Sequence, residues 1–347
     1  MNAQQPLLQV NDLKKHFPVK KGIFGKTLSA VQAVDDVSFE VMPGETLGIV
    51  GESGCGKSTT ARLLMHLIEP DDGAVVFDGK SVGQPGGLGL RDLYRQAQMV
   101  FQDSYASLNP RLPIAASIAY GPEAQGMPRK EAMRTAVRLL QQVGLDPALY
   151  ANRYPHELSG GQKQRVNIAR ALALRPRLVI LDEAVSALDK SIEAQILNLL
   201  IDLKNEFDLT YVFISHDLNV IRYISDRVMV MYLGHVVEVG EVERVYAEPA
   251  HPYTKALLAA MPSMDPRRRT EEAPITGDPP NPIDPPSGCR FRTRCPFAAD
   301  VCAERRPFLA PNAAAASAGL ARSHMVACHM RVAGSGHPEA PLPGATP

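Results

Sequence analysis

Residues 51–58 read GESGCGKS, and this stretch decides the fold class of the chain. It fits the pattern G-x-x-x-x-G-K-[ST] of a phosphate-binding loop. The apolar run Thr46–Val50 before it is typical of a short buried strand, and helical spacing begins at Ser58 and runs to Ile68. A strand, a glycine-rich loop and a helix in this order are the context that such a loop requires, so the sequence predicts a P-loop.

Each part of the loop has a chemical role that follows from its residue types. The glycines let successive backbone N–H groups turn inward around a phosphate, and the N-terminus of the following helix adds a positive dipole. Lys57 supplies a point charge for the β- and γ-phosphates of a nucleotide, and the Ser58 hydroxyl can ligate Mg²⁺. The alternative interpretation is a glycine-rich turn with a surface lysine. The residues predicted to surround the phosphates are Gly51, Glu52, Ser53, Gly54, Cys55, Gly56, Lys57, Ser58 and Thr59.

A second stretch supplies carboxylates. Residues 177–183 read RLVILDE, an apolar strand that ends in Asp182 and Glu183. Asp182 can hold Mg²⁺ through the water shell of the ion, and Glu183 can take a proton from an attacking water. On its own this pattern equally fits a strand capped by ordinary surface acids. Its pairing with the P-loop favours the catalytic interpretation.

Strand-like and helix-like segments alternate along the chain, which predicts an α/β fold with a largely parallel sheet. Asp35 and Asp36 are expected to mark a turn. The region from 104 to 170 is predicted to be mostly helical, with breaks near the prolines at 110, 113, 122 and 155. The predicted strands are Leu7–Val10, Ala33–Val41, Thr46–Val50, Leu178–Leu181, Tyr211–Ile214 and Arg227–Tyr232, and a further helix is predicted near Ile192–Leu203.

Charge and composition exclude several classes of protein. The 347 residues include 37 basic and 37 acidic side chains, so the formal net charge is zero. That balance argues against a protein that coats nucleic acid by bulk electrostatics. No stretch approaches the roughly 18 consecutive apolar residues of a membrane span. Residues 1–15 lack the pattern of a secretory signal, so we expect the chain to stay in the cytosol.

A third motif completes the set. Residues 158–162 read LSGGQ and are followed by KQRVNIARAL. Together with GESGCGKS and VILDE, this motif resembles the ATP-binding subunits of ABC transporters over roughly residues 5–260. The resemblance implies a P-loop NTPase ABC cassette over residues 5–250. Such a cassette has a RecA-like core and a helical subdomain, here at about 104–170.

The resemblance assigns further positions to an ATP site. Phe17 matches the aromatic residue that stacks on adenine; His16 is a weaker candidate, and a role in the strand core is the alternative for Phe17. Gln102, in MVFQD, matches the Q-loop glutamine that senses Mg²⁺ and the water. Asp189, in SALD, matches the D-loop, and His216, in FISHD, matches the switch histidine that contacts the γ-phosphate. The signature positions are Ser159, Gly160, Gly161 and Gln162.

These positions imply a clamp made by two subunits. ATP would lie between the P-loop of one chain and the signature of the other. Closure would align Glu183, His216 and Gln102 with the γ-phosphate that Lys57 holds. Hydrolysis would open the clamp, and this motion would pass to membrane-embedded subunits. None of the hydrolytic positions departs from the pattern, so we expect an active ATPase.

Two further stretches resemble importers of oligopeptides and dipeptides: DSYASLNPR at 103–111 and HPYTKALL at 251–258. In the first, Tyr105 and Leu108 could face a coupling helix of a permease or belong to the subdomain core. The resemblance implies two membrane permease subunits, a second ATPase subunit, alike or different, and indirectly an extracytoplasmic solute-binding protein. It also implies a peripheral position on the cytoplasmic face of the inner membrane and no nucleic-acid partner. The sequence does not identify the transported solute. The alternative function is that of a soluble ABC ATPase that acts on nucleic acid or ribosomes.

Four of the five cysteines lie near the C-terminus, where the resemblance implies a small Cys-rich extension over residues 251–330. Thiolates in the cytosol suit an iron–sulfur cluster, and the resemblance implies a [4Fe–4S] cluster. A Zn²⁺ site is the second candidate, with His324 or His329 as substitute ligands, and unrelated reduced thiols are the third. Such a cluster could support the fold or sense redox state. The predicted ligands are Cys289, Cys295, Cys302 and Cys328.

Two segments of the C-terminal part are expected to lack a packed core. The proline-rich stretch Pro262–Gly288 predicts a semi-rigid linker. Residues 331–347, which are rich in proline, glycine and alanine, predict a disordered tail.

Overall fold

The computed structural model describes residues 5–21, 26–104, 106–261, 277–278, 280–312 and 324–341. These residues form two β-sheets and a set of helices. The strands are β1 Leu8–Lys21, β2 Lys26–Val41, β3 Thr46–Val50, β4 Asp72–Phe77, β5 Lys80–Ser81, β6 Ala97–Val100, β7 Leu178–Asp182, β8 Thr210–Ile214, β9 Arg227–Tyr232, β10 His235–Glu241, β11 Ala310–Pro311 and β12 His324–Val326. The α-helices are α1 Lys57–Leu64, α2 Leu90–Gln96, α3 Ile114–Ala124, α4 Arg129–Gln142, α5 Pro147–Tyr150, α6 Gly160–Leu172, α7 Lys190–Phe207, α8 Leu218–Ile224, α9 Val242–Ala247, α10 Pro252–Ala259 and α11 Asp300–Glu304.

The larger sheet has the strand order β11-β12-β10-β9-β3-β8-β7-β6. Strands β9, β3, β8, β7 and β6 are parallel, and β10 pairs antiparallel with β9. In sheets of this kind, ligands bind outside the carboxyl ends of the strands. The segments that follow β3, β7 and β8 carry the P-loop, Glu183 and His216, so the topology brings these three predicted elements to one edge.

The parallel strands are covered on both faces. Ile180 and Val212 pack into an apolar cluster with the antiparallel sheet β2-β1-β4-β5. Their strand neighbours Leu181 and Phe213 pack into a second cluster with the helices. Successive side chains of a strand point to opposite faces, so a strand buried on both sides is an unbroken apolar run. Full burial of one such side chain contributes about 1.5–3 kcal/mol to stability.

Helices α3, α4 and α6 pack together in the region predicted to be helical. Leu108 is 3% exposed and belongs to the same apolar cluster, whereas Tyr105 lies outside the described residues. The break predicted near Pro122 follows that proline at residues 125–128, between α3 and α4, and Pro122 itself lies within α3. A proline inside a helix costs one backbone hydrogen bond. The helix ends at Ala124, so Pro122 disturbs only its last turn.

The turn predicted at Asp35 and Asp36 is wrong, because both residues lie within β2. Leu13 pairs with Val37 and Lys15 with Val34, so the register between β1 and β2 shifts at this point. Asp36 has a φ of 62°, a conformation that aspartate tolerates better than most residues. The acidic pair therefore marks a β-bulge inside a long strand.

The C-terminal residues extend the main sheet. Strand β12 pairs with β10, and β11 pairs with β12. Residues 331–341 belong to this folded part: His337 is 8% exposed and its Nε2 lies 2.8 Å from the Phe297 carbonyl oxygen. The prediction of a disordered tail is therefore wrong for these residues. Residues 342–347, and residues 262–276 of the predicted linker, lie outside the described residues.

None of the helices in the described part of the chain combines the length and the apolar character that crossing a membrane requires.

Candidate active site

Two glycines give the P-loop its shape. Gly51 has a φ of 151° and Gly56 a φ of 109°, values that residues with a side chain rarely adopt. A Cβ atom on Gly51 would lie 2.2 Å from the Met231 carbonyl oxygen. A Cβ atom on Gly56 would lie 2.2 Å from the Ala33 carbonyl oxygen. The loop therefore lies directly against the backbones of β9 and β2, and neither glycine can be replaced without moving it.

Lys57 stands at the first position of α1 and is only 5% exposed. Its Nζ donates hydrogen bonds to the carbonyl oxygens of Gly51, at 2.8 Å, and of Glu52, at 3.1 Å. A cavity of about 200 Å³ opens beside it. The residues that line this cavity are Ala33, Ser53, Gly54, Gly56, Lys57, Ser58, Thr59, Gln102 and Glu183.

Two side chains with oxygen atoms that can ligate a metal ion, Ser58 and Asp182, lie next to each other beside the P-loop. The Ser58 hydroxyl donates a 2.9 Å hydrogen bond to Oδ1 of Asp182, which is 3% exposed. Burial raises the pKa of Asp182, and the Ser58 hydrogen bond opposes that rise. Hydroxyl and carboxylate oxygens are the ligands that Mg²⁺ takes, so the donor set fits the predicted ion.

Glu183 follows β7 with a φ of 48°. A left-handed conformation at a residue other than glycine costs about 1–3 kcal/mol and is concentrated at active sites. The Gln102 side-chain amide donates a 2.9 Å hydrogen bond to Oε2 of Glu183. Nδ1 of His216 lies 3.6 Å from the same oxygen. The structure thus brings Gln102, Glu183 and His216 together, and the first two of them line the cavity.

The signature residues begin α6. Ser159 caps this helix, and its N–H donates to Oε1 of Gln162 at 2.9 Å. The Gln162 amide in turn donates to the Tyr150 hydroxyl at 3.0 Å. Ser159 and Gly160 are exposed, and among the described residues the cavity lining includes none of the four signature positions. Their contact with the nucleotide of a second subunit stays a prediction.

Two other predicted contacts also lie apart from the cavity lining of the described residues. Phe17 is 39% exposed on β1, with the Lys15 ammonium 5.8 Å from its ring centroid. Asp189 is exposed at the N-terminus of α7. The adenine-stacking and D-loop roles stay predictions. His16 Nε2 lies 3.3 Å from Oδ1 of Asp35, a contact between residues of β1 and β2, and its weaker candidacy for adenine stacking stays a prediction.

The chain matches the ABC transporter family over residues 34–186 and the C-terminal region of oligopeptide/dipeptide transporters over residues 237–302. A relative from Sinorhizobium fredii, described as a probable peptide ABC transporter ATP-binding protein, is 50% identical over 94% of this chain and 90% of its own length. The chain belongs to the ATP-binding proteins of the ABC transporter family. This ABC ATPase therefore has the fold class and the ATP chemistry that the three motifs predict.

Other relatives of this ABC ATPase agree. The oligopeptide transport ATP-binding protein OppF of Salmonella typhimurium is 49% identical over 89% of this chain and 95% of that protein. AppF of Bacillus subtilis, with the same description, is 47% identical over 94% of this chain and 98% of that protein. Each carries its similarity across both the cassette and the C-terminal extension.

Solved structures show the same fold. CbiO1 from Clostridium perfringens, part of the ABC transporter complex CbiONQ, has a TM-score of 0.60 at 27% identity, covering 70% of this chain and 91% of that one. The ATP-binding cassette MJ0796, in a dimeric post-hydrolysis state bound to ADP and Pi, has a TM-score of 0.58 at 29% identity, covering 68% of this chain and 98% of that one. The predicted ABC cassette is confirmed.

The C-terminal extension reaches the P-loop through residues to which sequence analysis assigns no role. The Arg294 guanidinium pairs with the Glu52 carboxylate at 2.9 and 3.1 Å. The Tyr253 hydroxyl accepts a 2.8 Å hydrogen bond from the Glu52 N–H. The sequence features that could have indicated this contact are the arginine-rich run around Cys295 and the tyrosine of HPYTKALL. Neither indicates which residue it meets, because the partners lie some 200 positions away.

Asp35 anchors the same extension to β2. Its carboxylate receives Arg290 Nη2 at 2.6 Å and lies 2.9 Å from His235 Nε2. The hydrogen bond from His235, together with the charges of Arg290 and Arg306, holds the pKa of Asp35 well below its usual range. Asp35, which the sequence assigns to a turn, therefore connects β2 of the cassette to the extension through these contacts.

Two histidines at this junction, His251, which is 1% exposed, and His235, whose side chain is 13% exposed, predict acid sensitivity. Burial lowers the pKa of His235 to about 4 and that of His251 to about 4, against 6.5 in an unfolded chain. The unfolded state then binds more protons between these values, so stability is present above pH 6.5 and lost as the pH falls towards 4. At pH 5 each histidine costs about 2 kcal/mol of unfolding free energy. Denaturant unfolding at pH 7.5 and pH 5.0 measures this loss.

The variants His235→Asn and His251→Asn are expected to reduce the loss of unfolding free energy between pH 7.5 and pH 5.0. Each variant should remove about half of the part of that loss that the two histidines cause together. The exposed His156 is the matched control, and His156→Asn is expected to leave the pH dependence unchanged. Equal unfolding free energies of the wild-type chain at both pH values would contradict the assignment.

The four predicted cluster ligands all lie in the extension. The Cys289 N–H donates a 2.8 Å hydrogen bond to the Cys302 carbonyl oxygen. Burial raises the pKa of Cys289, Cys295 and Cys328, and the neighbouring thiols add to each rise. Among the described residues, no group of three or more His, Cys, Asp or Glu side chains is arranged to hold a metal ion. The [4Fe–4S] and Zn²⁺ assignments therefore stay predictions.

The two histidines considered as substitute ligands have other partners. Nε2 of His324 lies 2.6 Å from Oε1 of Glu238, and Nε2 of His329 lies 2.9 Å from the Arg305 carbonyl oxygen. The first contact joins the extension to β10 of the cassette, and the second lies within the extension. The fifth cysteine, Cys55, is a buried residue of the P-loop itself, with its Sγ 3.8 Å from the Lys57 ammonium.

Proposed function

We propose that this ABC ATPase drives the uptake of peptides through separate permease subunits in the membrane. The observation that carries the proposal is a sequence identity of 47–50%, over 89–94% of this chain, to three ATP-binding proteins whose descriptions name peptide or oligopeptide transport. The match to the C-terminal region of oligopeptide/dipeptide transporters supports the same class of solute. These relatives support transport over the alternative of an ATPase that acts on nucleic acid or ribosomes.

The residues in and beside the cavity have different roles in ATP hydrolysis. The P-loop amides and Lys57 bind the β- and γ-phosphates of ATP, and Lys57 holds charge against the transferring group. Glu183 accepts the proton of the attacking water, which Gln102 and His216, both beside Oε2 of that carboxylate, help to orient. Ser58 and Asp182 would hold Mg²⁺, which neutralises phosphate charge. Catalysis then depends on positioning, because the strands that end at this edge hold each group in place.

The proposal includes a second ATPase subunit. Ser159, Gly160, Gly161 and Gln162 are assigned to the γ-phosphate held by that partner, and Asp189 to the interface. The exposed start of α6 and the dimeric state of the similar MJ0796 cassette support this arrangement. Two permease subunits would place the dimer on the cytoplasmic face of the inner membrane, and a solute-binding protein outside the cell would deliver the peptide.

The C-terminal cysteines are part of the proposal as the ligands of a [4Fe–4S] cluster, with Zn²⁺ as the alternative. The donor chemistry suits such a cluster, and a bound group would tie together an extension with a small core. We expect protein purified without oxygen to carry about four irons and matching sulfide. Cys302→Ser and Cys328→Ser should lower that content, and Cys55→Ser should not. Stoichiometric zinc without iron would transfer the assignment to Zn²⁺.

Co-purification tests the transport assignment. A tagged chain is isolated from detergent-solubilised membranes, and the accompanying chains are identified by mass spectrometry against an untagged control. The proposal predicts two multi-span permeases and an ATPase partner. Recovery with ribosomal proteins or RNA, and without permeases, would contradict it and leave only the ATPase chemistry.

A further inference from the structure

One residue of the P-loop, Glu52, forms hydrogen bonds with four different residues. The Glu52 N–H donates to the Tyr253 hydroxyl at 2.8 Å, and its carboxylate pairs with Arg294 at 2.9 and 3.1 Å. Its carbonyl oxygen accepts hydrogen bonds from the Lys57 ammonium at 3.1 Å and from the Cys55 N–H at 3.2 Å. Glu52 therefore joins the extension on one side to the phosphate-binding lysine on the other.

The two partners from the extension are buried and packed against aromatic rings. Tyr253 is 0% exposed and packs against Tyr232 and Phe291, with ring centroids 4.7 and 5.5 Å away. The Arg294 side chain is 7% exposed, and its guanidinium carbon lies 5.9 Å from the ring centroid of Tyr232. A bidentate pair between a buried guanidinium and a carboxylate fixes geometry as well as adding energy.

A parallel contact holds the other end of the loop. Nη1 of the buried Arg290 donates to the Leu233 carbonyl oxygen. The next residue, Gly234, donates its N–H to the Cys55 carbonyl oxygen at 2.9 Å. Two arginines on the run CRFRTRC thus act on the P-loop backbone, one through Glu52 and one through the turn after β9.

We propose that Arg294 is a positioning residue of the nucleotide site, which holds Glu52 so that the P-loop keeps the shape that binds phosphate. The inference rests on the proposed role of the P-loop in ATP binding. Arg294 acts through Glu52 and Lys57 rather than through Glu183 or His216. Its loss should therefore weaken ATP binding more than it slows hydrolysis at saturating ATP.

The experiment compares Arg294→Ala with the wild-type full chain, purified identically. We expect KM for ATP, and Kd for a fluorescent ATP analogue, to rise about 5- to 30-fold, with kcat within about twofold. Arg294→Lys keeps the charge but loses the bidentate pair, and we expect it to restore part of the affinity. Arg292→Ala is the matched control, because the Arg292 guanidinium contacts Ser287 instead of the P-loop.

A double-mutant cycle separates positioning from folding. Glu52→Ala should raise KM by a similar factor, and Arg294→Ala in the Glu52→Ala chain should add little. If Arg294→Ala alone fails to fold, the KM of Glu52→Ala still tests whether the contact between Arg294 and Glu52 supports ATP binding. An unchanged KM in Glu52→Ala, or an equal rise in Arg292→Ala, would overturn the inference. A wild-type chain that binds no ATP would instead overturn the proposed function.

Discussion

Replacing Glu183 by Gln is expected to lower the rate of ATP hydrolysis about 10²- to 10⁴-fold while the chain still binds ATP. The amide keeps the size of the carboxylate but cannot accept the proton of the attacking water. The left-handed backbone at Glu183 and its contacts with Gln102 and His216 place this side chain at the mouth of the cavity. Phosphate release and the affinity for a fluorescent ATP analogue measure the two effects separately.

The matched control is Glu243→Gln, which removes an exposed carboxylate paired with Arg222 and should leave turnover unchanged. Hydrolysis by Glu183→Gln at close to the wild-type rate would remove Glu183 as the base. Loss of ATP binding in the same variant would instead assign to Glu183 a role in shaping the cavity.

Replacing Gly56 by Ala is expected to weaken ATP binding about 100-fold. The new Cβ atom would meet the Ala33 carbonyl oxygen at 2.2 Å and would also oppose the φ of 109°. Backbone strain and steric overlap together cost about 3 kcal/mol, and the loop would relieve them by leaving the shape that cradles phosphate. Equilibrium titration with the fluorescent ATP analogue measures the change.

Gly54 supplies the comparison within the same loop. Its φ of 79° is also positive, but a Cβ atom there meets nothing within 4 Å. We therefore expect Gly54→Ala to weaken binding by no more than about 10-fold, the share due to backbone strain alone. Equal affinities of Gly54→Ala and Gly56→Ala would contradict the role assigned to the contact with β2.

The sequence predicts the nucleotide site well because its determinants are local. The P-loop, the end of β7 and the segment after β8 each carry their chemistry within a few residues of a buried apolar strand. Parallel pairing then brings the carboxyl ends of these strands together, so Ser58, Asp182, Glu183 and His216 converge without further information. The signature is equally local, but the role predicted for it requires a second subunit.

The errors arise where long-range contacts override a local signal. Asp35 and Asp36 have the composition of a turn, yet pairing with β1 keeps the chain extended and turns the acids into a bulge. Residues 331–341 look disordered by composition, yet His337 and its neighbours fold against the extension.

The junction between the cassette and the extension was the least predictable part. Arg290, Arg294 and Tyr253 each meet a partner that the chain supplies more than 50 residues away, and no periodic pattern encodes that pairing. A buried arginine requires an acceptor, but the requirement does not say which one. The link from Arg294 to the P-loop is therefore visible only in the folded chain.

Uptake of labelled peptides by cells tests the central claim most directly. A strain that lacks this gene receives either the wild-type chain or Glu183→Gln at equal protein levels, and a panel of labelled di- to hexapeptides is followed into the cells. We expect the deletion to abolish uptake of part of the panel, the wild-type chain to restore it and Glu183→Gln to leave it absent. Undiminished uptake of every peptide in the deletion strain would contradict the account.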